Sequence, residues 1–356
     1  MKLSLHELAL RQQWSLEQKI DHSIGVIEQY VSYWGGVEHV YVSFSGGKDS
    51  TVLLDLCRTI FPDMLAVFCS TGCEYPEIIK FVNSYRKQGN CEVIHPKYTP
   101  KQVWAKYGFP LVSKEVAKKI KGIRNDPNSP TSKKDLEPNN KFGLATRWRY
   151  LIDEPYDSHY LCCHKLKKEP FRKYEKVTGR KPIIGVMASE SLLRANQWVR
   201  HGCNIFEGHV SSRPLSIWTE EDIWEYINTR GLEVAELYHK GIYRTGCAAC
   251  GFGCHYEDDK RFEILKELHP RYYDMVMNFT NNGVTFREAI RKQMAVNGLY
   301  LPDERPIPPE EELATIKAKA QEIYGCADDA AFLELLEKIF GAELFAQIGR
   351  ENELND

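Results

Sequence analysis

The stretch YVSFSGGKDSTVLL, residues 41–54, constrains this chain more than any other. The apolar alternation before Ser45 reads as a buried strand. The residues from Asp49 to Cys57 read as a helix with Val52, Leu53 and Leu56 on its inner face. Gly46 and Gly47 join the two in a tight turn, which aims backbone N–H groups outward at a helix N-terminus, a place that binds anions. Lys48 adds a point charge, and Ser45 and Ser50 add hydroxyl donors. Asp49 alone would repel a phosphate, so its presence points to a magnesium ion that bridges carboxylate and phosphates. The spacing is not that of a Walker A loop. An ordinary helix N-cap needs far less than Ser-Gly-Gly-Lys-Asp-Ser.

A chain of 356 residues buries one large core, or one core with an appended subdomain. Strand-like runs fall at 39–44, 64–69, 91–95 and 183–188, with helix-like runs at 50–60, 76–87 and 100–106. This alternation predicts an α/β fold with a doubly wound, mainly parallel sheet covered on both faces. Ligands in such sheets bind beyond the carboxyl ends of the strands. STGCEYPE (70–77) and SESLLR (189–194) are therefore expected to face the crevice of Ser45–Ser50. An amphipathic helix is expected over Leu16–Trp34, and a helix capped by Thr219 and stopped by Gly231 in WTEEDIWEYINTRG. Residues 125–141, rich in Pro, Asn and Ser, read as a long exposed loop or lid. The Pro-rich run LPDERPIPPEEE precedes acidic helices expected over 310–348. The expected organisation is a helical segment 1–38, a nucleotide-binding domain 39–235, a Cys-rich helical region 236–300 and an acidic helical extension 301–356.

The formal net charge is −2, but the charge is uneven. Residues 113–149 carry ten Lys or Arg against four Asp or Glu, and residues 302–356 carry five against fourteen. The basic stretch is either a solvated face or a surface for nucleic acid, with Trp148 and Tyr150 as stacking groups. Lys114 within it is a candidate anion ligand. The acidic stretch is a candidate docking site for a partner protein. The N-terminal residues are charged throughout and no run is long enough to span a membrane, which predicts a cytoplasmic protein. Eleven cysteines then imply a reducing compartment, where they serve as core, metal ligands or catalytic thiols. Cys57 and Cys91 read as core. Cys73 and Cys203 read either as sulfur carriers or as space-filling thiols. The adjacent pair Cys162–Cys163 and the Cys-x-x-Cys of Cys247 and Cys250 read as a ligand set, with Cys254 a neighbour.

Six motifs carry a resemblance. SGGKDS, STGCEYPE, CCHKLKKEPF (162–171), GVMASESLLR (185–194), PLSIWTEEDIWEYI (214–227) and RTGCAACGFG (244–253) occur in the order found in the phosphoadenosine-phosphosulfate-reductase-like branch of the PP-loop ATP pyrophosphatases. They cover roughly residues 38–275. The chain resembles in particular the sulfur-transfer ATPases of DNA phosphorothioation systems. The resemblance implies an adenine nucleotide alpha hydrolase-like fold, ATP and Mg2+. It implies attack on the α-phosphorus with loss of pyrophosphate, followed by displacement with sulfur. It assigns nucleotide binding to Ser45, Gly46, Gly47, Lys48, Asp49, Ser50, Thr71, Gly72, Glu74 and Lys167. Lys48 and Asp49 become catalytic groups. Arg194 becomes a phosphate clamp, and Glu190 orients it or the metal, unless the two form only an i,i+4 surface pair.

The cysteine set is similar to the iron–sulfur ligands of adenylylsulfate reductases, so Cys162, Cys163, Cys247 and Cys250 are expected to hold a [4Fe–4S] cluster. Zinc and four buried thiols are the alternatives. Gly246 and Gly251 flank the Cys-x-x-Cys, and Lys165, Lys167 and Arg244 are placed to offset cluster charge. Partners of this chemistry are a cysteine desulfurase or a sulfur carrier. Two further readings stand beside the ATPase, a sulfonucleotide reductase and a non-catalytic nucleotide-binding partner. The complete Ser-Gly-Gly-Lys-Asp-Ser loop favours a triphosphate. The last cysteine is Cys326, with no Glu-Cys-Gly-Leu-His tail, which speaks against the reductase.

Overall fold

The structure is a computed structural model that describes residues 3–304 apart from Asn139, Tyr243 and Arg244. The acidic helices expected at 310–348 lie outside the described residues. Two compact units are interleaved along the chain. The first comprises Met1–Pro100 and Cys163–Cys247, the second Lys101–Cys162 and Ala248–Asp356.

The first unit holds a six-stranded sheet. Its strands are β1 (Val40–Ser43), β2 (Ala66–Cys69), β3 (Cys91–Ile94), β4 (Lys181–Ile184), β5 (Asn204–Ile205) and β6 (Ser211–Ser212). The spatial order is β3-β2-β1-β4-β6-β5, parallel throughout except for the edge strand β5. The mainly parallel α/β sheet is thus as expected. Val40, Tyr41 and Val42 are buried, as are all four residues of β2, the unbroken apolar runs of strands covered on both faces. The chain runs outward from β1 through β2 to β3, then returns to place β4 on the other side of β1. That reversal opens a crevice at the carboxyl ends of β1 and β4, where α/β sheets bind ligands. Each strand is shorter than its apolar run. Residues 185–188 leave the sheet after β4 rather than extending it.

Helix Leu16–Tyr33 begins with a capping box of Ser15 and Gln18. Helix Lys48–Ile60 buries Val52, Leu53 and Leu56. Helix Glu220–Arg230 starts at a Thr219 capping box and stops at Gly231 in the left-handed region, as its sequence predicts.

In the second unit, helix Lys114–Asn125 packs with helix Pro130–Leu136. The latter corrects the expectation of a long exposed loop or lid over 125–141. Ser129 caps it, Pro130 takes its first turn and Ser132 is buried, so turn-forming residues here start a helix. Leu111–Val112 pairs in parallel with Gly251–Phe252, and Thr280–Asn281 forms a hairpin with Val284–Thr285. Helices Arg261–Leu268, Pro270–Met277 and Phe286–Ala295 complete the unit around Trp104, Phe109 and Phe286. The Asn281 side chain ties this core together, accepting from Asp157 N (2.8 Å) and donating to Trp104 O (2.9 Å).

Candidate active site

The loop Ser45–Ser50 leaves the carboxyl end of β1 and becomes the first turn of helix Lys48–Ile60. Gly46 sits at φ +73°, and a Cβ there would come within 3.0 Å of the Ile78 and Val82 methyls. Ser45 N donates to Ser50 Oγ (3.1 Å), Gly47 N to Ser45 Oγ (3.3 Å), and Lys48 N to the Tyr238 hydroxyl (2.8 Å). Ser50 Oγ donates to Gly47 O (2.9 Å). Lys48 is 4% exposed, its Nζ 2.8 Å from Asp49 Oδ1 and 3.4 Å from Glu220 Oε1. Burial acts to lower the Lys48 pKa, but Asp49 and Glu220 outweigh it and hold the ammonium above its ordinary value. From the other side of the crevice, a Cβ on Gly185 would stand 3.1 Å from the Asp49 carbonyl oxygen. The chain after β4 therefore runs directly against the loop.

Beside the loop lies a small pocket, open to solvent, lined by Ser43, Phe44, Ser45, Cys69, Glu74, Lys167, Phe171, Thr245 and Cys247, among others. Glu74 accepts from Thr71 Oγ1 (2.5 Å), Thr71 N (3.1 Å) and Gly72 N (3.0 Å). The N–H groups of Thr71 and Gly72 therefore serve the chain's own carboxylate. Lys167 lies on a π-helical turn, His164–Lys168, that leads into helix Glu169–Thr178. Such turns recur at functional sites. Burial acts to lower the Lys167 pKa, and Cys247, followed by Glu74, holds it above the ordinary value. Burial, reinforced by Glu74, pushes the Cys69 thiol up to about 12, and its Sγ donates to Leu166 O (3.3 Å). Cys69 is thus a buried, protonated thiol of the cavity wall.

The structure gathers Ser45, Glu74 and Lys167 in the cavity wall and places the rest of the loop next to it. Glu190 and Arg194 pair with each other, and Glu190 accepts from Met187 N (3.1 Å); neither lines the cavity. Cys73 is buried and also absent from the lining. Cys203 is buried, its Sγ 3.8 Å from His22 Nε2. Sequence reasoning missed Tyr238, Thr245, Glu220 and Gly185. Gly185, Glu220 and Thr245 stand inside motifs that carry the resemblance, whereas Tyr238 lies outside all of them.

The four candidate cluster ligands are half-buried cysteines, a donor set that suits an iron–sulfur cluster or zinc. Cys163 and Cys247 belong to the first unit, Cys162 and Cys250 to the second. Cys162 accepts from Trp104 Nε1 (3.4 Å), and the Cys250 carbonyl accepts from Arg261 (2.8 Å). Among the described residues, no three His, Cys, Asp or Glu side chains stand together in metal-holding geometry. Cys254 is core, donating to Gly251 O (3.3 Å) and accepting from Gln293 Nε2 (3.2 Å). Arg244 lies outside the described residues.

Trp148 is buried edge-on against His255, and the Tyr150 hydroxyl is buried too, so neither is a surface stacking group. Phe142 in the same basic stretch is 85% exposed. No helix among the described residues is long and apolar enough to cross a membrane.

Residues 39–251 match the model of the phosphoadenosine phosphosulfate reductase domain. An uncharacterised protein of Methanocaldococcus jannaschii is 26% identical over 65% of this chain and 46% of its own length. Adenosine 5'-phosphosulfate reductase of Staphylococcus epidermidis is 25% identical over 57% of this chain and 66% of its own. The chain thus spans less than half the length of the first of these relatives. Among solved structures, phosphoadenylyl-sulfate reductase from Candida auris aligns with a TM-score of 0.40 at 16% identity, covering 69% of this chain and 97% of that one.

Proposed function

This chain belongs to the phosphoadenosine phosphosulfate reductase domain family, and from that premise we propose that it is an ATP pyrophosphatase that activates an acceptor for sulfur transfer. An acceptor oxygen attacks the α-phosphorus of ATP, the bond from that phosphorus to the β-bridging oxygen breaks, and pyrophosphate leaves with the electron pair. A sulfur nucleophile then displaces AMP from the adenylated acceptor. The observation that carries this reading is the complete loop Ser45–Ser50 at a helix N-terminus, with a buried ammonium and a carboxylate beside the cavity. The negative charge that develops on the leaving phosphates is met by the helix N-terminus and by Lys48. Asp49, a hard oxygen donor on the same turn, would hold magnesium, which neutralises phosphate charge when bound. Lys167 offers a second cation in the cavity wall.

Cys162, Cys163, Cys247 and Cys250 would be the ligand set of a [4Fe–4S] cluster, or of zinc, on spacing and donor chemistry. For the acceptor we favour nucleic acid, phosphorothioation being the reaction class. Phe142 supports it, an exposed aromatic in a stretch rich in lysine. The sulfur donor belongs to the class of desulfurases or sulfur carriers.

The second reading, reduction of a sulfonucleotide, is favoured by the name of the S. epidermidis relative. One experiment separates them. Protein purified without oxygen is assayed for AMP and pyrophosphate from ATP, for sulfite from adenosine phosphosulfate with a thiol donor, and for metal. Pyrophosphate release that disappears in Lys48→Ala and Asp49→Ala is expected, with about four irons per chain. Undiminished release in Asp49→Ala would remove the metal role. Sulfite without pyrophosphate would install the reductase. One tightly held zinc and no iron would replace the cluster with a structural site.

A further inference from the structure

The loop is closed by the protein's own hydroxyls. Lys48 N–H, at the start of its helix, points at Tyr238 OH at 2.8 Å, and that hydroxyl lies 3.1 Å from Thr245 Oγ1. A Cβ built on Gly47 would stand 2.5 Å from Thr245 Oγ1 and 3.3 Å from Tyr238 OH. Both hydroxyls therefore stand directly over the Gly-Gly turn, on the ground where an anion would take the Lys48 N–H. Tyr238 is carried by a single short turn, Glu236–Lys240, which Lys240 ties to Glu77 at 3.5 Å. The Trp224 ring packs edge-on against it. Burial pushes the Tyr238 hydroxyl above its ordinary pKa, so it is a neutral group and a weaker acceptor than a phosphate oxyanion.

We propose that Tyr238, backed by Thr245, is an internal competitor at the phosphate loop: its hydroxyl holds the Lys48 N–H, and a ligand with phosphates beyond the α position must displace it to bind there. The inference rests on the reading of Ser45–Ser50 as the cradle of the β- and γ-phosphates. A pyrophosphate oxygen offers Lys48 N–H a charge-assisted bond, about twice as strong as the neutral one it replaces, and displaces the hydroxyl. AMP has no group that reaches this N–H, so the Tyr238 contact neither helps nor hinders it. The hydroxyl pair thus lowers the affinity for phosphoanhydrides and leaves that for nucleoside monophosphates unchanged, although it touches no base or sugar.

The test is calorimetric titration of the full chain with magnesium pyrophosphate and with AMP. In Tyr238→Phe the pyrophosphate Kd is expected to fall roughly three- to tenfold, the net worth of one hydrogen bond, with the AMP Kd unchanged. Thr245→Val, which keeps volume and removes only the hydroxyl, is expected to shift the pyrophosphate Kd the same way by a smaller factor. Pyrophosphate binding that weakens or stays constant in Tyr238→Phe overturns the proposal, as does an equal gain for AMP. Lys48→Ala separates the two levels. If it keeps wild-type pyrophosphate affinity, the cradle reading itself fails and the proposal falls with it. If Lys48→Ala loses affinity and Tyr238→Phe gains none, only the role of Tyr238 fails.

Discussion

At Gly46 the chain turns with φ +73° while the Ile78 and Val82 methyls close on the space where a side chain would begin. An alanine there carries two separate penalties. The left-handed backbone costs an L-residue roughly 1–2 kcal/mol, and the Cβ must push two packed methyls aside. Gly46→Ala is expected to lower unfolding stability by about 2 kcal/mol in urea titrations, and to weaken pyrophosphate binding with it. Wild-type stability would show that the turn relaxes without its glycine. Ser45, Gly46, Gly47, Lys48 and Asp49 were legible in the sequence because their chemistry is local: a strand, a turn and a helix start within ten residues. Tyr238, Thr245 and Glu220 were not. They reach the loop from far along the chain, and neither a tyrosine, a threonine nor a glutamate announces a contact with a backbone N–H or a buried ammonium.

Helix Glu220–Arg230 shows what one cap can do at the scale of an element. Asp222 Oδ2 accepts from Thr219 N at 2.6 Å, closing the capping box, and from Lys19 Nζ at 2.6 Å. Lys19 is 2% exposed on helix Leu16–Tyr33 and also donates to Gln12 O at 2.8 Å. A single carboxylate thus starts one helix and pins a second to it. Asp222→Ala leaves a buried ammonium without its counter-charge, and a loss of about 3–5 kcal/mol is expected in urea unfolding. The double variant Lys19→Met, Asp222→Ala is expected to recover much of that loss, since the buried ammonium goes together with its counter-charge and Met fills the space of the Lys chain. Equal losses in the single and the double variant would show that the cap, rather than the pair, holds the helix. The Thr219 cap and the Gly231 stop were legible because both are short-range signals. The pairing of Lys19 with a residue 203 positions away was not, and helix Pro130–Leu136 was hidden by a Pro- and Asn-rich composition that favours turns.

At the scale of the whole molecule, three histidines are held below their ordinary pKa, each chiefly by burial: His22 in the first unit, His159 and His255 in the second. His255 has the clearest cause. It is 2% exposed, and its Nδ1 lies 3.1 Å from Gln293 Nε2. That amide nitrogen also donates to Gly251 O at 2.8 Å, while Gln293 Oε1 accepts from Val112 N at 2.9 Å, so the orientation of the amide is fixed. The amide nitrogen accepts no hydrogen bond, so a proton on Nδ1 would set two donors face to face. Arg147 disfavours the charged ring further, and Asp259 opposes only in part. With the folded pKa depressed, the unfolded chain binds the proton first as pH falls through about 6.5, and stability is lost from there down to the folded value. Above that window the three groups contribute no pH dependence. The urea midpoint is accordingly expected to fall as pH drops from 7 to 5. His255→Asn, though less stable, is expected to show a slope shallower by up to about 1.4 kcal/mol per pH unit, the worth of one proton. An unaltered slope in that variant would mean that His255 takes up its proton as readily in the folded protein as in the unfolded chain.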